Sequence, residues 1–292
     1  MWTKPWTLKE GFLLGGGLII AGLMLQWSVG PVVWDAFVWP VNAIVLACFM
    51  LLIASIYALR KRVYAFRFAA SCQAALPALC YAVALTIVMG LTRQTTGGSG
   101  LSNMLAFWPF VLIYVYLALI LGLVALRRLL HLQRLSRDLP FLLNHLGLFI
   151  AMTTATLGNA DMQRLKMITT LGEPEWRALD QQGSIRELPL AIELKRFIME
   201  EYADGSPRRF ASDIQILTQQ GGNMLATVDV NKPVEAAGWK IYQFGYVTRL
   251  GAMSPTSIFE LVSDPWLPAV YVGIFMMLAG AVCMMMLRRG EK

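Results

Sequence analysis

Six apolar stretches, at about 11–29, 38–59, 68–91, 104–126, 140–160 and 266–287, limit what this chain can fold into. Each is long enough, as a helix rising about 1.5 Å per residue, to cross a hydrocarbon core of about 30 Å. Inside such a core a chain satisfies its backbone only as a helix or a closed barrel, so a six-transmembrane-helix bundle is expected. With 57% hydrophobic and 15% charged residues and a mean hydropathy of +0.56, the 292-residue chain is too apolar for a water-soluble globule.

The basic residues give this bundle a direction. An even number of spans puts both termini on one side, and that side collects Lys4, Lys9, Arg60, Lys61, Arg62, Arg67, Arg127, Arg128, Arg134, Arg137, Arg288, Arg289 and Lys292. The short connections opposite, 30–37 and 92–103, carry only Arg93. The positive-inside rule then assigns both termini to the cytoplasm and the long 161–265 segment to the outside of an inner, cytoplasmic membrane. That segment holds eleven basic against fourteen acidic residues, so the formal charge of +7 resides in the cytoplasmic clusters and no nucleic-acid partner is expected. Lys4 and Lys9 precede the apolar run from Gly11 to Gln26 without a small-residue cleavage site, which reads as a retained first span. Trp27, Trp34, Trp39 and Trp108 sit near outer span ends and read as aromatic-belt anchors. Gly15, Gly16, Gly17 and Gly22 read as close helix packing. Cys48, Cys72, Cys80 and Cys283 all lie in apolar spans with no CxxC pair, and are expected to be small core residues.

The outward segment has a different period. Leu188, Leu190, Ile192 and Leu194 alternate with polar or small neighbours, as do Phe210, Ser212, Ile214 and Ile216, and then Met224, Ala226, Val228 and Val230. Period two is a strand signal, with a hairpin at Gly221 and Gly222 and a further turn at 236–238. A strand from Trp239 to Phe244 and a last short one near Ile258–Val262 complete a small, mostly antiparallel β domain inserted before the last helix. Residues 161–185 are less regular and are expected to form an interfacial helix or a linker. The organisation is then 1–139, a four-helix membrane region; 140–160, a histidine-bearing span; 161–265, the extracytoplasmic β domain; and 266–292, the last helix and its tail.

Chemistry is sparse. The chain has no GxGxxG, P-loop, HExxH, GxSxG or CxxCH. Glu200, Glu201 and Asp213 have no histidine partner in the pattern and read as a solvated face. The exception is His145, an imidazole in a span whose ionisable groups are costly unless something binds them. One reading is a histidine hydrogen-bonded to a neighbouring helix, with Asn144 beside it. The other is an axial ligand to haem iron, its partner ligand supplied elsewhere. His131 lies fourteen residues earlier, but Arg134, Arg137, Asp138 and Pro140 interrupt the interval, so the two cannot share one buried helix. His131 is expected on an amphipathic cytoplasmic surface helix.

The runs Glu201-Tyr-Ala-Asp-Gly-Ser-Pro-Arg-Arg-Phe-Ala-Ser-Asp213, Val230-Asn-Lys-Pro-Val234, Gly238-Trp-Lys-Ile-Tyr-Gln243 with Tyr246, and Ser263-Asp-Pro265 closely resemble the outward domain and last helix of ResB/CcsB proteins. Asn144-His145-Leu-Gly147 is similar to that family's histidine-bearing helix. The family's usual pattern has fewer spans before the outward domain than this chain. The resemblance implies a subunit of a System II cytochrome c synthase, taking part in haem delivery across the inner membrane and its attachment to apocytochrome c. It implies a CcsA/ResC-like partner bearing a WWD motif, because Val33-Trp34-Asp35 and Trp39 lack the repeated Trp-Gly pattern and its flanking histidines. On this reading His145 ligates haem iron, and Arg60, Arg62, Arg127 and Arg128 are candidates for pairing with haem propionates, although setting topology is the better explanation of them. The rival expectation is a non-catalytic membrane scaffold, or a quinone-site anchor of a respiratory complex, with His145 as a packed polar residue. A secondary transporter is disfavoured, since no internal repeat is visible among the spans.

Overall fold

The computed structural model describes residues 4–95, 97–204 and 206–289. Gly205 of the family-like run and Lys292 of the last basic cluster lie outside the described residues. The chain divides into two compact units, residues 1–160 with 266–292, and residues 161–265.

The first unit is helical. α1 spans Leu8–Val29, α2 Val41–Leu59, α3 Tyr64–Ala69, α4 Cys72–Leu91, α5 Trp108–Leu130, α6 Leu135–Gly158 and α7 Leu267–Arg289. Among the described residues six of these segments are long and apolar enough to cross a membrane, as expected. Their outer faces carry large apolar side chains such as Ile20, Leu51 and Phe275, each more than 60% exposed, a surface that only hydrocarbon solvates well. The expected third span, 68–91, divides: the short α3 ends at Ala69, and α4 begins after Ser71. The fifth span begins earlier than Pro140, at Leu135, because the Asp138 carboxylate accepts the backbone N–H of Gln133 (2.7 Å) and Arg134 (3.0 Å) and so fixes the corner between α5 and α6.

Glycine sets the close approaches. A Cβ at Gly11 or Gly15 would collide with Gln73 and Tyr81 of α4, and one at Gly22 would lie 2.5 Å from Pro109 of α5, so α1 lies directly on both helices. The packing expectation therefore holds at Gly15 and Gly22, whereas Gly17 faces open space. α6 and α7 use the same device: a Cβ on Gly147 would stand 2.6 Å from the Gly273 carbonyl oxygen, and one on Gly280 would collide with Asn144. The cysteine expectation is corrected, because Cys48, Cys72 and Cys80 are exposed on the helix surfaces. Lining the lipid boundary places no demand for small volume on them.

The second unit is an eight-stranded antiparallel sheet: β1 Gln163–Thr170, β2 Pro174–Leu179, β3 Ile185–Glu201, β4 Pro207–Thr218, β5 Asn223–Asp229, β6 Val234–Ala236, β7 Trp239–Tyr246 and β8 Thr256–Ser263, in spatial order β5-β4-β3-β2-β1-β8-β7-β6. The alternation seen in sequence places Leu190, Ile192 and Leu194 on one face, where they pack with Ile214, Ile216, Ile241 and Phe259 in a core shielded from solvent. Each such side chain contributes roughly 1.5–3 kcal/mol on burial. The hairpin at Gly221 and the turn at Ala237-Gly238, both with positive φ, match the expectation. Residues 161–185 do not: they form β1 and β2 rather than a linker or interfacial helix. β1 alternates correctly, with Leu165, Met167 and Thr169 inward, but its core-facing row includes a polar residue and its outer face carries Ile168, which blurs the pattern. Its pairing with β8 over eight residues, Gln163↔Ser263 to Thr170↔Thr256, supplies what local pattern does not.

Candidate functional site

The sequence nominates His145, and α6 determines how the ring is presented. Its Nδ1 lies 2.8 Å from the carbonyl oxygen of Phe141, one turn earlier on the same helix. A carbonyl only accepts, so the proton sits on Nδ1, and the lone pair of that tautomer is on Nε2. The Phe141 ring stacks on the imidazole with centroids 3.8 Å apart and planes 19° from parallel. The ring is half-buried and its rotamer is fixed on two sides, by the carbonyl bond and by the stacked phenyl.

Asn144 plays a different part from the one expected. Its amide donates to the Pro140 carbonyl at 2.8 Å and packs against Gly280 of α7, so it neither bonds His145 nor shares its face. The expected bond from His145 to a neighbouring helix is likewise replaced by the bond to its own backbone.

Arg128, at the end of α5, joins the His145 group. Its guanidinium pairs with Asp138, which is 3% exposed, and stands 5.2 Å from the centre of the Phe141 ring, within cation–π range. Its Nε is buried with no hydrogen-bond partner among the described residues. Asp138, Arg128, Phe141 and His145 thus form one connected set in which a cation backs the ring that backs the imidazole. Sequence reasoning passed over Asp138 and Phe141. Their i, i+3 and i, i+4 spacing to each other and to His145 is the signal that could have found them, because such residues share a helix face.

The remaining arginines fall elsewhere. Arg60 stacks on Tyr57, 3.5 Å from its ring centroid, and donates to the Tyr57 carbonyl at 2.6 Å. The Tyr57 hydroxyl lies 3.2 Å from Nδ1 of His131, which also contacts the Arg127 carbonyl at 3.1 Å. His131 is therefore not on a separate surface helix: it closes the C-terminus of α5 and ties that end to α2. Arg127 enters this second cluster through its carbonyl, with its side chain exposed, and exposed Arg62 joins neither.

Among the described residues no group of three or more His, Cys, Asp or Glu could hold a metal ion. His145, held through Nδ1, is the side chain of this set whose second ring nitrogen could donate to a metal.

In the β unit Asp213 and Glu200 are paired rather than merely solvated, whereas Glu201 is exposed as expected. Asp213 accepts from Thr227 (2.6 Å) and pairs with Arg196 (2.7 Å), while Arg209 bridges Glu200 and Asp229. The Thr227 hydrogen bond, reinforced by Arg196, holds the Asp213 carboxyl below the usual carboxylate range.

Comparison with known proteins bears on part of this chain. Residues 134–257 match the model of the ResB-like family, a segment that begins beside Asp138 and includes Phe141, Asn144 and His145 but none of Arg60, Arg62, Arg127 or Arg128. The chain is similar to the cytochrome c biogenesis protein CcsB of Prochlorococcus marinus subsp. pastoris, 33% identical over 100 residues that make up 34% of this chain and 22% of the relative. It is also similar to CcsB of another Prochlorococcus marinus strain, 28% identical over 102 residues, 35% of this chain and 23% of the relative. Among solved structures it aligns with the cytochrome c haem lyase CcmF at a TM-score of 0.38 and 13% identity, over 96% of this chain and 46% of that one. The matches thus span less than a quarter of the length of the curated relatives. The likeness to the ResB-like family thus covers the last span of the helical unit before the sheet and most of the sheet itself.

Proposed function

We propose that this protein works in cytochrome c biogenesis as the ResB/CcsB-like subunit of a System II synthase, with haem as substrate in transit. The observation that carries the reading is the presentation of His145: a membrane-span imidazole inside the family-matched segment, with Nδ1 committed to a carbonyl and Nε2 left with its lone pair. Haem, when bound, supplies the iron that accepts this lone pair and the vinyl groups that cytochrome thiols attack. The chain's own part is to hold and orient. Phe141 keeps the imidazole upright, Asp138 holds Arg128 against Phe141, and the Arg128 cation is the arginine nearest to this group for pairing with a propionate carboxylate.

The basic clusters support placing both termini in the cytoplasm and the sheet outside the inner membrane. There the sheet meets apocytochrome c and a CcsA/ResC-like partner bearing the WWD motif, and the partner supplies the remaining haem ligand. The protein is then half of a haem lyase rather than an enzyme alone.

The test is purification with the CcsA-like partner and a haem spectrum of His145→Ala. The expected result is loss of the bound-haem signal and its return on adding imidazole. An undiminished signal removes His145 from the ligand set.

A further inference from the structure

About two turns along α6 from His145, toward the ends of α2, α5 and α6 opposite the arginine clusters, the helices part around a cavity of about 260 Å³. Its walls include Trp34, Phe49, Trp108, Val115, Ala118 and Met152. The polar atoms of the lining residues are engaged elsewhere. Trp34 Nε1 donates to the Leu105 carbonyl (3.0 Å) and Trp108 Nε1 to the Gly30 carbonyl (2.9 Å). Thr153 and Thr156 donate to carbonyls one turn back on α6, and the Tyr114 hydroxyl pairs with Thr156. Both indoles are thus tied to backbone carbonyls, whereas Trp27 is 93% exposed.

We infer that this cavity is a binding slot for one hydrocarbon chain, the acyl tail of a membrane lipid. Water is excluded by chemistry, because a water molecule needs two or more polar partners and the walls present none that is free. A charged or hydrogen-bonding ligand would be left unpaired for the same reason. A space of this size left empty forfeits the packing contacts on which protein interiors depend. The supply is at hand: the same helices expose their apolar faces to hydrocarbon, and Val115, on the cavity wall, is 46% exposed, so the slot communicates with the surrounding lipid. A chain seated there would wedge α2, α5 and α6 together across this gap in their packing. This inference stands apart from the haem reading.

The experiment is native mass spectrometry of the full-length protein after exhaustive exchange into detergent, followed by re-addition of a single synthetic phosphatidylcholine. Val115→Trp places an indole across the slot, and Ala118→Leu fills it from the side should the larger substitution prevent folding. Val83→Trp, on the lipid-facing surface of α4, is the control. The expected result is one phospholipid retained by the wild type and by Val83→Trp, and none by whichever filled variant folds. Retention unchanged in the filled variants, retention of no lipid by the wild type, or retention of a quinone in place of a phospholipid would each overturn the inference.

Discussion

The imidazole of His145 lies face to face with the phenyl ring of Phe141, and the same Phe141 supplies the carbonyl that holds Nδ1. One residue thus sets both the tilt and the tautomer of the histidine. Because the carbonyl belongs to the backbone, substitution at 141 separates the two effects. Phe141→Ala removes the stacking partner and leaves the hydrogen bond, so the ring keeps its tautomer and loses its orientation. Haem retention by the partner-bound complex should fall about 10–100-fold, the usual cost of removing a group that orients a ligand. Equilibrium titration of the purified complex with haem measures it, and an unchanged affinity would show that the stack does not serve binding.

Asp138 holds two things at once, the Arg128 guanidinium and the N–H groups of Gln133 and Arg134. Arg128→Ala removes only the first. The thermal midpoint should therefore fall further for Asp138→Ala than for Arg128→Ala, with Asp138→Asn between them, because the amide oxygen still accepts from the backbone. The reverse order, measured in the same detergent, would place the stabilisation in the ion pair.

Glycine positions on the helices should divide sharply. Gly273→Ala sets a methyl 2.5 Å from the Gly147 carbonyl oxygen, so α6 and α7 must separate, at about 1–3 kcal/mol. Gly17→Ala meets nothing within 4 Å and replaces a poor helix former with the best, a gain of up to about 1 kcal/mol. Thermal midpoints of the two variants should move in opposite directions from wild type.

The β unit should weaken in acid. Asp213 has its folded-state pKa lowered, first by Thr227 and then by Arg196. Such a group adds stability that is fully present above its unfolded pKa, about 3.9, and is lost as pH falls through the depressed folded value. Hydrogen exchange of β4 and β5 amides in the full chain should accelerate below about pH 4, and Asp213→Asn should flatten that dependence. An equally steep acid response in the variant would assign it to other carboxylates.

The six spans and the β3, β4, β5, β7 and β8 strands were legible because period and length are local properties of sequence. Leu188 to Leu194 announce a half-buried strand without knowledge of any neighbour. β1 and β2 were not, since β1 owes its conformation to eight paired residues of β8 almost a hundred positions away. The same limit explains the site. His145 stood out as an imidazole in an apolar run, but its partners depended on rotamers: Asn144 turned toward α7, and Phe141, one turn back, took the role assigned to it. Arg128 was nominated among four arginines that charge alone does not tell apart. Only the corner made by Asp138 separates it from Arg60, Arg62 and Arg127.

β1 and β8 run side by side from Gln163↔Ser263 onward, and Gly158 of α6 packs directly against Trp266 at the start of α7. The sheet is therefore inserted in sequence between α6 and α7, the chain entering it by β1 and leaving by the neighbouring β8. Such an insertion lets a whole module be lengthened, shortened or exchanged while the α6–α7 hairpin keeps its own packing, and it makes the Gly158–Trp266 clasp the natural point at which to cut and reseal the chain.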